Sequence, residues 1–234
     1  MRRVVEPELL DGLPTADVRA VGSRADLRRL NRVMGHAGIL ARALRGQLTE
    51  AAFRLRPLRL VELGAGDGTL LLRVARRWSA LGVTAEATLL DRQALVSGET
   101  RRAFAALNWS VESVATDVLT WLERTDCGAD VMLANLFLHH FQERELQALL
   151  HRVAANTRLF VACEPRRGPL ALTASRLLGL MGCNAVTRHD AAVSVRAGFA
   201  GRELSLLWPK GAGWNSRERS AGLFSHCFAV SRHG

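Results

Sequence analysis

The side chains best able to do chemistry in this sequence fall in a few short clusters: Glu62 with the alternating glycines Gly64, Gly66 and Gly68, then Asp91, Asp117, the pair His139-His140, and the polar run Asn184 to Asp190 that holds His189. Glycines alternating at a strand-to-helix turn let the backbone approach a ligand closely, because no Cβ intervenes and unusual φ values cost little. An acid at the end of the next strand is placed to accept a ribose diol. An unperturbed imidazole is largely neutral at pH 7 and can take a phenolic or enolic proton. The chemistry on offer is a nucleotide-type cofactor beside a proton acceptor.

The glycine register separates two classes of cofactor. A dinucleotide fingerprint reads G-x-G-x-x-G/A, with its last small residue inside the helix. Here Thr69 takes that position, and the acid Glu62 stands ahead of the first glycine. The run Leu60-Val61-Glu62-Leu63 reads as an apolar strand entering the turn. Further strands follow: Ala87 to Asp91 ends in an acid, Val111 to Val118 contains Asp117, Asp130 to Phe137 holds Asn135, and Leu159 to Glu164 again ends in an acid. Between them, helical periodicity covers Thr69 to Ala80, Ala94 to Leu107 and Gln142 to Ala155, the last with Leu146, Leu149, Leu150 and Val153 on one face. Strands alternating with helices predict a parallel, doubly wound α/β sheet.

At the N-terminal side, Ser23-Arg24-Ala25-Asp26 has the form of a capping box with Asp in place of Glu or Gln, so a helix is expected to start there and carry Leu27, Leu30, Val33 and Met34. Gly35-His36-Ala37-Gly38 interrupts it, and a second short helix should end near Gly46. After the fifth strand, the apolar stretch Pro169 to Val186 reads as a packed helix, centred on Leu170 to Leu180. Ala191 to Ala197 reads as another, with Asp190 as its N-cap. Trp214 to Ser220 and Leu223 to Ser231 read as two strands across a turn at Gly222.

An acid followed by G-x-G-x-G, with four concordant segments behind it in order, resembles the class I S-adenosylmethionine-dependent methyltransferases over residues 58 to 232. Within that class, Asn135-Leu136-Phe137-Leu138-His139-His140-Phe141 and the apolar helices after the fifth strand are similar to the small bacterial methyltransferases of ubiquinone and menaquinone biosynthesis. The resemblance implies an α/β, Rossmann-like, doubly wound, mostly parallel seven-stranded sheet with an antiparallel C-terminal hairpin and an N-terminal helical cap. It implies a single domain over 1–234, with the cap at 1–56, the cofactor-binding core at 57–234 and substrate-covering helices near 169–208. S-adenosyl-L-methionine is the implied cofactor. Gly64, Ala65, Gly66 and Gly68 would pass beneath its methionine half, and Glu62 would orient the loop or, through water, the ammonium group. Asp91, with Arg92 beside it, would take the ribose, Asp117 the adenine amino group, Val118 a wall, and Asn135 the boundary between methionine and substrate. Asp91 suits a helix N-cap as well, and Asp117 an exposed turn.

Methyl transfer from a sulfonium is an in-line displacement in which the protein mainly positions the reactants. N-methylases of adenine and glutamine carry an Asn or Asp followed by two prolines and an aromatic after the fourth strand; this segment has no proline, which counts against both substrates. His139 and His140 are adjacent, so one is expected to face the cleft as the base, His140 first, with His189 closing over it from the later helices. A helix-start His bonded to backbone is the competing role for the pair. Glu164 is the remaining base if none of the three serves. No metal is expected, since no other ligand lies at zinc spacing.

The 234 residues allow one sizeable core. A net charge of +10 and a pI near 11.2 would suggest a polynucleotide partner, but Lys210 is the only lysine, the Arg residues are spread along the chain, and tyrosine is absent. Without basic and aromatic residues interleaved, no nucleic-acid partner is expected. No run approaches the length of a membrane span. Cys127, Cys163, Cys183 and Cys227 form no C-x-x-C pair, which makes a reduced, cytoplasmic setting the default. The expected function is O-methylation of a small phenolic, quinone or polyketide-like aromatic, with C-methylation of an activated ring close behind. An RNA- or protein-directed methyltransferase and a non-catalytic cofactor-binding module are the rivals from other classes. The oligomeric state stays open, a homodimer included.

Overall fold

The computed structural model describes residues 1–46, 56–124, 128–211 and 213–232. Its strands are β1 (Leu58–Leu63), β2 (Ala85–Asp91), β3 (Ser110–Ala115), β4 (Ala129–Asn135), β5 (Thr157–Pro165), β6 (Trp214–Ala221) and β7 (Ser225–Arg232). They form one seven-stranded sheet in the order β3-β2-β1-β4-β5-β7-β6. β1 to β5 run parallel, and β7 lies antiparallel between β5 and β6. The order reverses between β1 and β4, which opens a crevice beyond the carboxyl ends of those strands.

Apolar residues on both faces of the central strands bury the sheet between two helical layers. On β1, Leu58 and Leu60 join one core while Val61 and Leu63 join the other, as the two-residue period of a strand requires. The first core receives α2 (His36–Arg45), α3 (Thr69–Ser79) and α4 (Gly98–Ala105), with Trp78, Phe104 and Trp109 filling it. The second receives α5 (Val118–Trp121), α6 (Glu143–Asn156) and α9 (Glu203–Leu207), where Phe160 stacks on Trp208 at 5.7 Å. Between α6 and α9 come α7 (Pro169–Arg176) and α8 (Ala185–Ala197). No helix among the described residues is long and apolar enough to cross a membrane.

Several boundaries differ from the sequence reading. The first helix, α1, spans Val18–Val33 with Asp17 as its N-cap; Asp26 sits inside it and instead accepts from the Asn184 amide and the Thr187 hydroxyl at the start of α8. β3 stops at Ala115, because Asp117 caps α5 by accepting from Leu119 N and Thr120 N. Asp190 lies inside α8, whose N-cap is Asn184; its carboxylate takes Leu9 N and Leu10 N. The packed helix expected from Pro169 is only eight residues long and passes into a 3-10 turn at Leu177–Met181, leaving Leu170, Leu177 and Leu180 exposed. Cys163, Cys183 and Cys227 are free and buried, and Cys127 lies outside the described residues.

Candidate active site

The crevice at the strand-order reversal opens into a cavity of about 540 Å³. Gly64, Asp91, Arg92, Asp117 and Val118 line one side, and Leu136, Phe137, His139, His140 and Phe141 line another. Residues of the N-terminal segment between Val5 and Asp11 line a third side.

The glycine loop is held from both sides. Gly64 has φ +69°, and a Cβ there would stand 2.3 Å from the Phe137 ring, so only glycine lets that ring lie across the turn. Gly66 has φ +55° with nothing near its missing Cβ, which leaves its face open to a ligand. Asp91 Oδ2 accepts from Gly66 N and Oδ1 from Gln93 N, so the acid expected at the ribose also fixes the loop. Arg28 of α1 pairs with Asp67, and Asp67 accepts from Thr69 N and its hydroxyl. Ala65 is buried, with its amide bonded to Leu90 O, and a Cβ on Gly68 would meet Leu89 at 2.7 Å; these two shape the turn from behind the cavity wall.

Glu62 lies buried beneath the loop, and its Oε2 has no partner. Burial, then the charges of Asp67 and Asp91, push its acid well above the usual carboxylate range. Asn135 Oδ1 and His36 Nδ1 are buried on the same side of the sheet without a well-formed bond, and they face each other: burial lowers the His36 pKa to about 4, and Asn135 partly offsets it. Buried polar atoms without partners are rare in folded proteins and call for a bound group. An acid that lacks a cation, below a glycine turn with one face open, fits the ammonium end of the cofactor that the motif implies. Glu62 and Asn135 would hold that end, with Asp91 and Asp117 at the ribose and base.

The histidines differ sharply. His139 is buried, with Nδ1 2.8 Å from Glu164 Oε2 and Nε2 3.2 Å from Glu8 Oε1. Burial opposes its charge, but hydrogen bonds to Glu164 and Glu8 prevail and raise its pKa to about 9. Burial likewise works against Glu8, yet His139 holds its acid down to about 2. His139 is therefore an imidazolium with both N–H groups taken. His140 lies tilted against it, with ring centroids 4.3 Å apart, and its pKa is lowered by burial and then by the His139 charge. His140 stays neutral and faces the cavity.

His189 is not among the residues lining the cavity. Its neighbour Asp190 faces the N-terminal segment, and one residue along a helix turns about 100°, which leaves the His189 side chain half exposed with Nδ1 2.9 Å from Asp190 Oδ1. Glu8 and Asp11 were invisible to sequence reasoning, because they lie far along the chain from the histidines they approach. Leu136 adopts φ +50°, which no sequence signal announces in a leucine; its amide bond to Cys163 O holds the bend in the cavity wall. Glu8, His139 and His140 bring potential metal ligand atoms within 4.8 Å of one another, a grouping that spacing along the chain did not reveal. Both His139 nitrogens there are already engaged by the Glu164 and Glu8 carboxylates, and the two rings lie tilted side by side.

Residues 60–158 match the family described as a methyltransferase domain. No curated protein matches the chain by sequence. Among solved structures, it is similar to an O-methyltransferase family protein from Burkholderia thailandensis, at 19% identity and a TM-score of 0.58, over 94% of this chain and 61% of that one. It is similar to the plantazolicin methyltransferase BamL, solved with a triazolic analogue and S-adenosylhomocysteine, at 8% identity and a TM-score of 0.64, over 96% of this chain and 93% of that one. A third is the mitomycin 7-O-methyltransferase, at 16% identity and a TM-score of 0.54, over 95% of this chain and 60% of that one. The chain spans less than two thirds of the first and third of these. At such identities the likeness is one of fold.

Proposed function

We propose that this chain is a class I methyltransferase, a reading that its fold and the family match over residues 60–158 support, and that it moves a methyl group from S-adenosylmethionine to a hydroxyl oxygen of a small phenolic, quinone or polyketide-like aromatic. When bound, the cofactor supplies an electrophilic methyl group on a sulfonium centre. The chain's own residues do the rest. Glu62, Asn135 and the glycine loop hold the methionine end, and Asp91 and Asp117, with Arg92 and Val118 beside them, hold the ribose and adenine. Phe137, Phe141 and Leu136 offer an apolar wall to an aromatic ring, with Phe137 and Phe141 set edge to face at 5.2 Å. His140 takes the hydroxyl proton as the oxygen becomes the nucleophile.

The observation that carries this reading is the neutral, cavity-facing His140 beside that apolar wall. Two of the fold neighbours are O-methyltransferases, which supports oxygen as the acceptor. Incubation with methyl-labelled S-adenosylmethionine and a panel of hydroxynaphthalenes and hydroxyquinones should place the label in an aryl methyl ether. Label found only on ring carbon, on RNA or on protein, or no transfer to any member of the panel, overturns the reading.

A further inference from the structure

The segment ahead of α1 is tied down along its length. Val4 N donates to Arg196 O, Leu9 N and Leu10 N donate to the Asp190 carboxylate, and the Arg3 guanidinium reaches Ala197 O, His139 O and Phe141 O. So anchored, it delivers one carboxylate to each histidine of the pair. Glu8 meets His139, and Asp11 Oδ2 stands 3.4 Å from His140 Nδ1. The same Asp11 oxygen is 3.5 Å from Arg92 Nη2, on the residue after Asp91.

The two pairs cannot serve the same purpose. His139 already has Glu164 on its other nitrogen, so Glu8 completes a closed ion cluster. Asp11 stands near Nδ1 of His140, whose ring lines the cavity. We propose that Asp11 is the positioning residue for His140: by accepting the Nδ1 hydrogen it fixes the tautomer whose Nε2 lone pair is free to take a proton. Through Arg92, the same carboxylate ties the base to the ribose end of the cofactor site. The proposal rests on the reading of His140 as the base.

The tautomer matters because a free imidazole carries its hydrogen mostly on Nε2, which leaves no acceptor there. A carboxylate at Nδ1 reverses that preference, and loss of such a partner elsewhere costs an enzyme turnover with its geometry intact. At 3.4 Å the two groups approach without a formed hydrogen bond, and catalytic hydrogen bonds that are long in an empty site tighten once ligand fills it. The charged groups facing His140 are Asp11 and Glu8 from the N-terminal segment, His139 beside it and Glu164 from β5.

The tautomer is readable without a substrate. In protein labelled with ¹⁵N-histidine and saturated with S-adenosylhomocysteine, the His140 signals are those lost in His140→Gln. Above its pKa, His140 should carry its hydrogen on Nδ1 in the wild type. Asp11→Asn should shift it toward the Nε2–H form and slow turnover of an accepted hydroxynaphthalene about tenfold or more, while Asp11→Glu restores both in part. An Nε2–H form in the wild type, or an unchanged tautomer in a folded Asp11→Asn, overturns the proposal. Wild-type turnover in His140→Gln would overturn the base reading itself, and the role of Asp11 with it.

Discussion

His139 Nδ1 lies 2.8 Å from Glu164 Oε2, and neither side chain reaches solvent. Glu164 Oε1 also accepts from the amides of Phe137 and Leu138, so a single carboxylate at the end of β5 fixes the loop that carries both histidines. Burial alone would raise the Glu164 acid, yet His139 and the two amides hold it below the usual range. The arrangement commits His139 to holding the loop and leaves His140 lining the cavity, where the proposed proton transfer needs it.

His140→Gln should lower turnover by about 10² and leave cofactor affinity intact. The rate should rise with pH as His140 loses its proton, and its lowered pKa puts the plateau within reach by neutral pH. Steady-state kinetics across pH with calorimetry of S-adenosylhomocysteine binding checks both parts. Equal turnover in the variant removes the base assignment.

Asp91→Ala should weaken cofactor binding by roughly 1.5 to 3 kcal/mol, the worth of hydrogen bonds to a charged group. Because Asp91 also holds Gly66 N, the melting temperature of the cofactor-free protein should fall modestly as well. Undiminished affinity in a less stable variant would assign Asp91 to the loop alone.

Glu62→Gln tests the orphaned acid. The folded protein holds the Glu62 proton more tightly than the unfolded chain does, so the cofactor-free protein loses stability as pH rises above the ordinary acid value. Removing the charge should raise the melting temperature at pH 7 while weakening S-adenosylmethionine. Wild-type binding should also release a proton, seen as heats that vary with the buffer. A variant with lower stability and normal affinity would contradict the role.

Glu8→Gln probes the ion cluster. Because the His139 pKa is raised to about 9, the stability it contributes is complete below about 6.5 and is lost as pH climbs through 9. Melting temperatures from pH 7 to 10 should fall less steeply in the variant than in the wild type. Superimposable slopes would show that Glu8 does not hold the proton.

Much of the scaffold was readable from local pattern. The glycine turn, the acids ending β2 and β5, and the hairpin at Gly222 each follow from composition within one element. What escaped were relations between distant parts of the chain. Asp190 reads as a helix cap because Asp favours that place, yet its partners are Leu9 N and Leu10 N, which only the fold brings near. His139 and His140 are indistinguishable by position, and it takes Glu164 and Glu8 to separate an imidazolium from a neutral ring. The helix expected from Pro169 failed through its glycines: Gly179 and Gly182 belong to a 3-10 turn that a run of apolar letters conceals.

The segment carrying Glu8 and Asp11 leaves the ribosome well ahead of the residues that anchor it. Its anchors, Asp190 and the carbonyls of Arg196 and Ala197, lie 181 to 194 residues further along in the Leu9 and Arg3 contacts. At about 5 to 20 residues per second, the ribosome needs on the order of ten seconds or more to supply them. Through that interval Glu8 and Asp11 have no histidines to meet, and β5, which brings Glu164, is itself completed late. The charge states that distinguish the two imidazoles therefore require both ends of the chain in place, which makes their titration a reporter of that long-range contact.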